Sequence, residues 1–445
     1  MMSLPEHESV VRAPGPWLRL YRHLSPALCS MVPLAARFSQ KLARGVDGRR
    51  DLMNRLAAGA GKVRGGVWFH VTSVGEYEQA RPVITALQKR ADAPPVAVTH
   101  FSPSGYDFAL QKPCADLHEY LPFDHPQQMD RLVNLWQPRL LVFVKFDCWP
   151  NQVLAAQRQG VPVVLLAGSL QPRSARLRPV ARELYRDVFD RFSHLGVCTD
   201  EDAERFREGL GVSCPVTVTG DTRVEQVILR YEAARDGDTA RRLKALGGRL
   251  LVLGSTWPPD ESLWLPILGD LLERHPGLKV VLTPHEPSAP RLAGLEGDLR
   301  RQGIPTRRLS ELMAAKRDSP GNARVILVDS IGVLAEIYRA GHLAYVGGSF
   351  TTGVHNTMEP AVASMPVLFG PVIQNAEEAG LLVRRGAGFV VQKSDAALDL
   401  THQLLANSQE LVNLGQQARQ VVLDQRGATA RSLAVIEPFL GGPSA

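Results

Sequence analysis

From Val67 onward, short apolar runs alternate with amphipathic stretches, and this rhythm constrains the fold of the chain more than any other feature. Runs of three to five mostly apolar residues separated by helical patterns describe βαβ units and a parallel sheet. Strands are expected at Val67–Val71, Val96–Thr99, Leu140–Val144, Val163–Leu166, Leu195–Cys198 and Val216–Val218. After Glu225 comes a polar helical segment, Arg230 to Leu246, with no strand. A second series then runs through Leu250–Leu253, Lys279–Leu282, Val325–Val328, Leu343–Val346, Val367–Phe369 and Gly388–Val391. Two such series predict an α/β chain of two doubly wound, Rossmann-like domains facing each other across a cleft. In such sheets ligands bind outside the carboxyl ends of the strands. At 445 residues both domains can bury a full core. The expected divisions are an N-terminal segment 1–45, a first domain 46–235, a second domain 236–425 and a tail 426–445. Within the tail, Thr429–Leu440 is long enough to pack back against the first domain, whereas Met1 to Gly15 and Gly441 to Ala445 read as loose ends.

Composition narrows the partners. Cys29, Cys114, Cys148, Cys198 and Cys214 show no CxxC spacing, so neither a disulfide framework nor a zinc site is indicated, and a reducing, cytoplasmic setting fits. A net charge of +6 suits an acidic substrate or an anionic membrane surface. Nucleic acid is not expected, because neither a zinc finger nor an aromatic-rich single-strand platform is present. No run approaches the roughly 20 apolar residues that span a bilayer. The nearest, Leu24 to Ala36, is interrupted by Ser25, Pro26, Ser30 and Pro33. It lies among Arg12, Arg19, Arg22, Arg37, Lys41, Arg44, Arg49 and Arg50, with Trp17, Leu18, Leu20 and Tyr21 before it. That basic, amphipathic segment admits two readings, a helix lying in a membrane interface and a helix packing on its own domain. A cleaved signal peptide does not fit.

In the first half, the strand ending at His70-Val71 runs through Thr72-Ser73-Val74-Gly75-Glu76 into a helix. Glu76 in the first helical turn reads either as a helix-start carboxylate kept charged by the dipole or as a base accepting a proton from a hydroxyl. The segment Lys145-Phe146-Asp147-Cys148-Trp149-Pro150-Asn151 ends another strand; Asp147 there holds a substrate or pairs with Lys145. Arg173 and Arg176 follow Gly168-Ser169 and are suited to phosphates, or else are solvated surface. Gly220-Asp221-Thr222-Arg223 places one more guanidinium near the end of the domain.

In the second half, Gly347-Gly348-Ser349-Phe350-Thr351-Thr352-Gly353-Val354-His355-Asn356-Thr357-Met358-Glu359-Pro360 reads as a strand breaking into a glycine-rich turn that opens a helix. Its glycines let the backbone approach a ligand. Asn356 can cap the helix, and Glu359 is placed to accept ribose hydroxyls. Gly254-Ser255-Thr256-Trp257, Thr283-Pro284-His285-Glu286 and Asp329-Ser330-Ile331-Gly332 are further turns on the same sheet edge, and together they describe a nucleotide pocket. Neither a Walker sequence nor a GxGxxG fingerprint is present. His70, His285 and His355 lack ligand spacing, so no metal is expected.

Taken in order, these segments resemble the 3-deoxy-D-manno-octulosonic acid (Kdo) transferases, from about Arg12 to Val391 and beyond. The resemblance implies a GT-B fold with a membrane-associated N-terminus, at the cytoplasmic face of an inner membrane. It implies inverting transfer of Kdo from CMP-Kdo to the lipid A precursor, lipid IVA, during lipopolysaccharide synthesis, with no cofactor or bound metal. By the same resemblance Glu76 matches the general base, while Asp147 stands where the family has a glutamate and Arg223 where many members have a lysine, both stabilising the transition state. Pro284, His285, Ile331, Gly332, Val333, Asn356, Thr357, Met358 and Glu359 match the CMP-binding segments of the second domain. Ser73, Gly75, Arg173 and Arg176 fall on the acceptor side, in the first. The chain departs from the family at His285-Glu286, where many members have Arg-His, so Arg291 is the candidate to supply the missing arginine contact. It also departs at Val333, at Gly353-Val354 and at Asp147, whose side chain is shorter by one methylene. The turns alone are equally compatible with another GT-B glycosyltransferase or sugar-nucleotide epimerase using a uridine donor, and with a non-catalytic nucleotide-sugar-binding homologue.

Overall fold

The computed structural model describes residues 12–441 except 146, 316–321, 352 and 375. Residues 1–11 of the expected N-terminal segment, 442–445 of the tail, and Phe146 and Thr352 of the segments above lie outside the described residues. The chain divides into two compact units, one reaching to Glu225 and resuming at Gly427, the other running from Gln226 to Arg426.

The first unit holds strands β1 (Val67–Val71), β2 (Val96–His100), β3 (Leu117–Tyr120), β4 (Leu140–Val144), β5 (Val163–Gly168), β6 (His194–Val197) and β7 (Val216–Val218). They form one parallel sheet in the order β3-β2-β1-β4-β5-β6-β7. The second holds β8 (Arg249–Thr256), β9 (Leu278–Pro284), β10 (Thr306–Arg308), β11 (Val325–Leu327), β12 (Leu343–Val346), β13 (Val367–Phe369) and β14 (Gly388–Val390). Its parallel order is β10-β11-β9-β8-β12-β13-β14. Both sheets are thus doubly wound, with the order reversing between β1 and β4 in one and between β8 and β12 in the other.

The central strands are largely apolar because both faces are covered. Trp68, Leu141, Phe143 and Leu165 enter one buried cluster. Their neighbours Phe69, Leu140, Val142 and Val164 enter the cluster on the opposite face, as the two-residue period of a strand requires. The second sheet repeats this, Leu251 and Leu253 facing one way and Leu250 and Val252 the other. Pro103, Pro126, Pro150, Pro179 and Pro258 each stand in the first turn of a helix, where the missing N–H costs nothing.

Two strands were not expected from the sequence, β3 and β10. Both are outermost in their sheets and short, and neither Leu-His-Glu-Tyr, whose last two residues are buried, nor Thr-Arg-Arg forms an apolar run that a sequence reading picks out. The polar segment Arg230 to Leu246 is two helices, Arg223–Ala233 and Asp238–Ala245, rather than one. After Gly427, the helix Ala428–Ile436 buries Val435 and Ile436 in the first unit's core beside Tyr77 and Ile84. The helix Pro16–Ala35 buries Leu18 and Ser25 and ties Tyr21 Oη to Asp124 Oδ2 at 2.9 Å. Its other face leaves Trp17, Leu20, Leu24, Leu28, Met31 and Leu34 exposed.

Candidate active site

In the first unit the reversal between β1 and β4 brings together the turns that follow them. β1 ends into Thr72 and Ser73, and Ser73 Oγ caps the helix Val74–Gln88 by accepting from Glu76 N at 3.4 Å. Glu76 is buried, 3% exposed. Its Oε2 accepts from Thr72 N at 2.5 Å and from Thr72 Oγ1 at 2.6 Å. Burial raises its pKa, the Thr72 hydrogen bonds oppose the rise, and the charge of Asp147 adds to it. Desolvation therefore outweighs the helix dipole that was expected to keep this carboxyl charged.

After β4, Lys145 takes a left-handed conformation, φ 72°, a strained geometry typical of functional turns. Asp147 follows. Its Oδ2 lies 2.9 Å from Thr72 Oγ1, and its Oδ1 accepts from Arg176 Nη2 at 2.8 Å. Thr72 thus joins the two carboxylates, and Arg176, expected on the acceptor side, is an ion-pair partner of Asp147. Its guanidinium also lies 5.0 Å from the Tyr185 ring centre. Trp149 donates its indole N–H to His70 Nε2 at 2.9 Å, so the proton of His70 sits on Nδ1, facing Thr99 Oγ1. Burial holds that imidazole neutral, its pKa lowered to about 3. His70 is a post for the Asp147–Trp149 segment.

Arg223 grips Asp221 with its backbone N–H at 2.9 Å and its guanidinium at 2.9 and 2.6 Å. Burial alone would raise the pKa of Asp221; the Arg223 cation overrides it and the carboxyl stays below its ordinary range. Asp221 also accepts from Gln79, on the Glu76 helix, at 3.2 Å, so Arg223 reaches that helix through Asp221 and Gln79. Ser73, Gly75 and Arg173 are exposed at the same sheet edge.

In the second unit the reversal between β8 and β12 brings together the Ser255–Trp257 turn and the glycine-rich turn. Asp260, in the first turn of the helix Pro258–Arg274, accepts from Trp257 N at 2.8 Å, Gly348 N at 3.0 Å and Tyr345 Oη at 2.5 Å. It laces both turns and β12 into one body. A Cβ on Gly347 would lie 2.3 Å from Ser255 O, and one on Gly348 (φ 96°) 2.6 Å from Gly353 O. These two glycines are required by approach to the protein's own backbone, not by approach to a ligand as first read.

Three rings meet above this body. His285 stacks on His355 with centres 4.4 Å apart and on Trp257 at 4.8 Å, and Trp257 donates to His355 Nε2 at 2.8 Å. Burial lowers the pKa of His285, and that of His355 to about 4, so both rings are neutral at pH 7. Ile331 stands out of the turn after β11, 81% exposed, while Gly332 there is left-handed, φ 84°, and Val333 packs against the core. Asn356 Oδ1 accepts from Met358 N at 3.0 Å, at the start of the five-residue helix Met358–Val362. Its amide faces Glu359 Oε1 at 3.5 Å, and Arg230 Nη1 reaches the same oxygen at 3.4 Å. Pro284, Thr357 and Met358 are buried, so a ligand would meet their backbone rather than their side chains. Thr283 and Thr357 each bury a hydroxyl without a hydrogen-bond partner, which is rare in a folded interior. Arg291 is drawn to Glu261 at 2.8 Å, a carboxylate that also accepts from Thr256.

Among the residues to which the sequence reading gave no role in the site, Thr72, Trp257 and His355 take central places. Trp257 and His355 fall in the quoted turns, where an aromatic residue at a sheet edge was the available signal. For Thr72, whose second partner lies 75 positions away, the sequence carries no signal.

A family model described as 3-Deoxy-D-manno-octulosonic-acid transferase (kdotransferase) matches residues 37–226. The 3-deoxy-D-manno-octulosonic acid transferase of Chlamydophila psittaci is 31% identical over 343 residues, 76% of this chain and 77% of its own length. The protein of the same name from Bordetella pertussis is 28% identical over 93% of this chain and 98% of its own. Among solved structures, a UDP-N-acetylglucosamine 2-epimerase covers 86% of this chain and 99% of its own at TM-score 0.60 and 15% identity. The UDP-GlcNAc 2-epimerase of Neisseria meningitidis covers 84% and 99% at TM-score 0.58 and 14% identity. At such identity these two likenesses speak for the fold, two doubly wound domains of the GT-B kind.

Proposed function

Because the chain belongs to the Kdo transferase family, a family of glycosyltransferases, we propose that it moves Kdo from CMP-Kdo to the lipid A precursor, with inversion at the anomeric carbon. Glu76 is the base that takes the proton of the acceptor hydroxyl as that oxygen attacks and the bond to the CMP phosphate breaks. Asp147 and Arg223 bear on the oxocarbenium-like transition state, one as a negative charge near the developing cation, the other as a cation suited to the departing phosphate. CMP belongs to the second unit. There His285 in its neutral stack and the protruding Ile331 offer flat and apolar surface to a base, and the backbone around Asn356, Thr357 and Met358 offers donors beside Glu359. Gly332 and Val333 shape that turn, and Pro284 ends β9 beside it. Ser73, Gly75 and Arg173 are the acceptor's side of the first unit, with Arg176 acting there through Asp147.

The acceptor's lipid nature and a place at the cytoplasmic face of the inner membrane accord with the helix Pro16–Ala35. Its exposed apolar face adjoins a hollow of about 330 Å³ lined by Tyr21, Leu28, Met31, Phe101, Phe123 and Trp149. Trp149 lies two residues beyond Asp147, so apolar surface runs from that helix to the candidate site.

The observation that carries the reading is the joining of Glu76 and Asp147, from the two strands that flank the reversal, through Thr72. The test is purified protein with CMP-Kdo and the tetra-acylated precursor, beside Glu76→Ala. Product from the wild type and a loss of about a hundredfold or more in the variant are expected, since general base catalysis is worth at least that. Equal rates would remove Glu76 from the mechanism, and CMP binding without transfer to the precursor would leave a nucleotide-binding homologue.

A further inference from the structure

Trp257 and His355 lie side by side, ring centres 6.4 Å apart and planes 18° from parallel, with the indole N–H donated to His355 Nε2 at 2.8 Å. His285 stacks over both, 10° from the plane of His355 and 27° from that of Trp257. An indole nitrogen only donates. Nε2 of His355 is therefore an acceptor without a proton, and the neutral ring carries its hydrogen on Nδ1. An imidazolium would set a second N–H against the indole, so the contact opposes the charged form. The lowered pKa of the ring agrees with this.

The chain builds the same pair elsewhere, to a different end. In the first unit Trp149 donates to His70 Nε2, and the hydrogen on Nδ1 faces Thr99 Oγ1 at 2.9 Å. His70 is wholly buried, and both its nitrogens are satisfied within the protein. His355 is half-buried. Among the described residues nothing accepts from its Nδ1, and that atom is not sealed from solvent. The Cδ2–Nε2 edge of His355 is the one turned to Gly348, where an added Cβ would meet Cδ2 at 2.8 Å and Nε2 at 3.0 Å. Nδ1 lies on the other side of the ring. Asn356, Thr357 and Met358, whose backbone offers donors to CMP, follow directly in the chain.

Resting on the placing of CMP in the second unit, we propose that Trp257 is a positioning residue that holds His355 in its Nδ1–H form, and that His355 donates this hydrogen to a phosphate oxygen of the donor nucleotide. The flat face of His285 suits a base, whereas an N–H at a ring edge suits an oxygen in its own plane. Of the acceptors on a cytidylate the phosphate oxygens are the charged ones, and a neutral N–H meets them with the strength of a charge-assisted bond. Keeping the ring neutral spares the cost of burying a cation against the stack.

The test is nitrogen-15 NMR of the protein with labelled histidines, the His355 signals being those lost in His355→Asn. Two-bond proton–nitrogen spectra at pH 7 tell a ring nitrogen with a hydrogen from one without. A protonated Nδ1 and a bare Nε2 are expected in the wild type; the reverse, or a mixture of the two tautomers, overturns the lock. In Trp257→Phe, which keeps a ring in the stack and removes the indole N–H, a mixture is expected, and an unchanged spectrum also overturns the lock. Adding CMP should move the Nδ1 signal while cytidine, which lacks the phosphate, leaves it in place; equal shifts from the two overturn the donation to phosphate. In calorimetry, His355→Gln, whose amide reaches the place of Nε2, should bind CMP about tenfold or more weakly, the measure of a hydrogen bond to a charged group. His355→Asn, whose amide puts an N–H at the place of Nδ1, should recover most of that loss, and equal losses in the two variants overturn the role of the donor. If CMP does not bind the wild type, the placing of CMP in this unit fails and the donation with it, while the lock is still decided by the tautomer.

Discussion

At the scale of single residues, burial and the Thr72 hydrogen bonds act in opposition at the candidate base, and burial prevails. Glu76 must be ionised to accept a proton, yet desolvation raises its pKa and the negative charge of Asp147 raises it further. A base is lost as pH falls through its pKa. The acid limb of kcat/KM is therefore expected above the ordinary carboxylate range of about 4 to 4.5. Asp147→Asn removes one of the upward influences, so in that variant the residual activity should persist to lower pH, the limb shifting toward the ordinary value. Measuring kcat/KM from pH 4 to 8 in wild type and Asp147→Asn checks both parts. A limb that moves upward in the variant would mean that Glu76 is not the titrating group.

At the scale of elements, the sequence announced the central strands because they are buried on both faces and read as unbroken apolar runs, Leu140–Val144 among them. It hid β3 and β10, whose Leu-His-Glu-Tyr and Thr-Arg-Arg form no apolar run. The candidate site was legible where chemistry sits in a contiguous turn, as with Glu76 or the block from Gly347 to Pro360. It was illegible where partners come from distant turns. Thr72 meets Asp147, and Asp260 meets Gly348, by tertiary placement alone. The glycines show the same limit, since the sequence marks them as special without saying what they avoid. Gly332 and Gly348 are both left-handed, but a Cβ at Gly332 would meet nothing within 4 Å, whereas at Gly348 it would strike Gly353 O and His355. Gly332→Ala should thus cost about 1 kcal/mol, the backbone conformation alone. Gly348→Ala should cost about 3 kcal/mol or more and displace the stacked histidines, weakening CMP binding at least tenfold by about the measure of lost positioning. Thermal unfolding and calorimetric titration with CMP read these differences, and equal costs at the two sites would refute the account of Gly348.

At the scale of the whole molecule, the first unit is built from both ends of the described chain. The helix Ala428–Ile436 completes one face of its core, while Pro16–Ala35 is docked by one face and bare on the other. Tyr21 and Ser25 hold the docked face, through Asp124 and Asn151. The bare face carries Trp17, Leu20, Leu24, Leu28, Met31 and Leu34, with Phe38, 88% exposed, just beyond. In sequence, Arg19, Arg22, Arg37, Lys41 and Arg44 are interspersed with it or follow it. Among the described residues no helix is long and apolar enough to cross a membrane, and this arrangement suits a helix lying in the interface, with apolar side chains in the acyl boundary and cations at anionic headgroups. Burying a leucine or methionine side chain is worth about 1.5–3 kcal/mol, less here because each is already partly covered. Replacing Leu24, Leu28 and Met31 together by aspartate should lower partitioning onto anionic phospholipid vesicles at least tenfold, by about 1.4 kcal/mol or more. The melting temperature should fall only slightly, because these side chains are half or more exposed, at 50%, 56% and 60%. High salt should weaken wild-type binding by screening the cations. Sedimentation with vesicles at low and high ionic strength measures both effects. Undiminished binding by the triple variant would place the membrane contact elsewhere on the molecule.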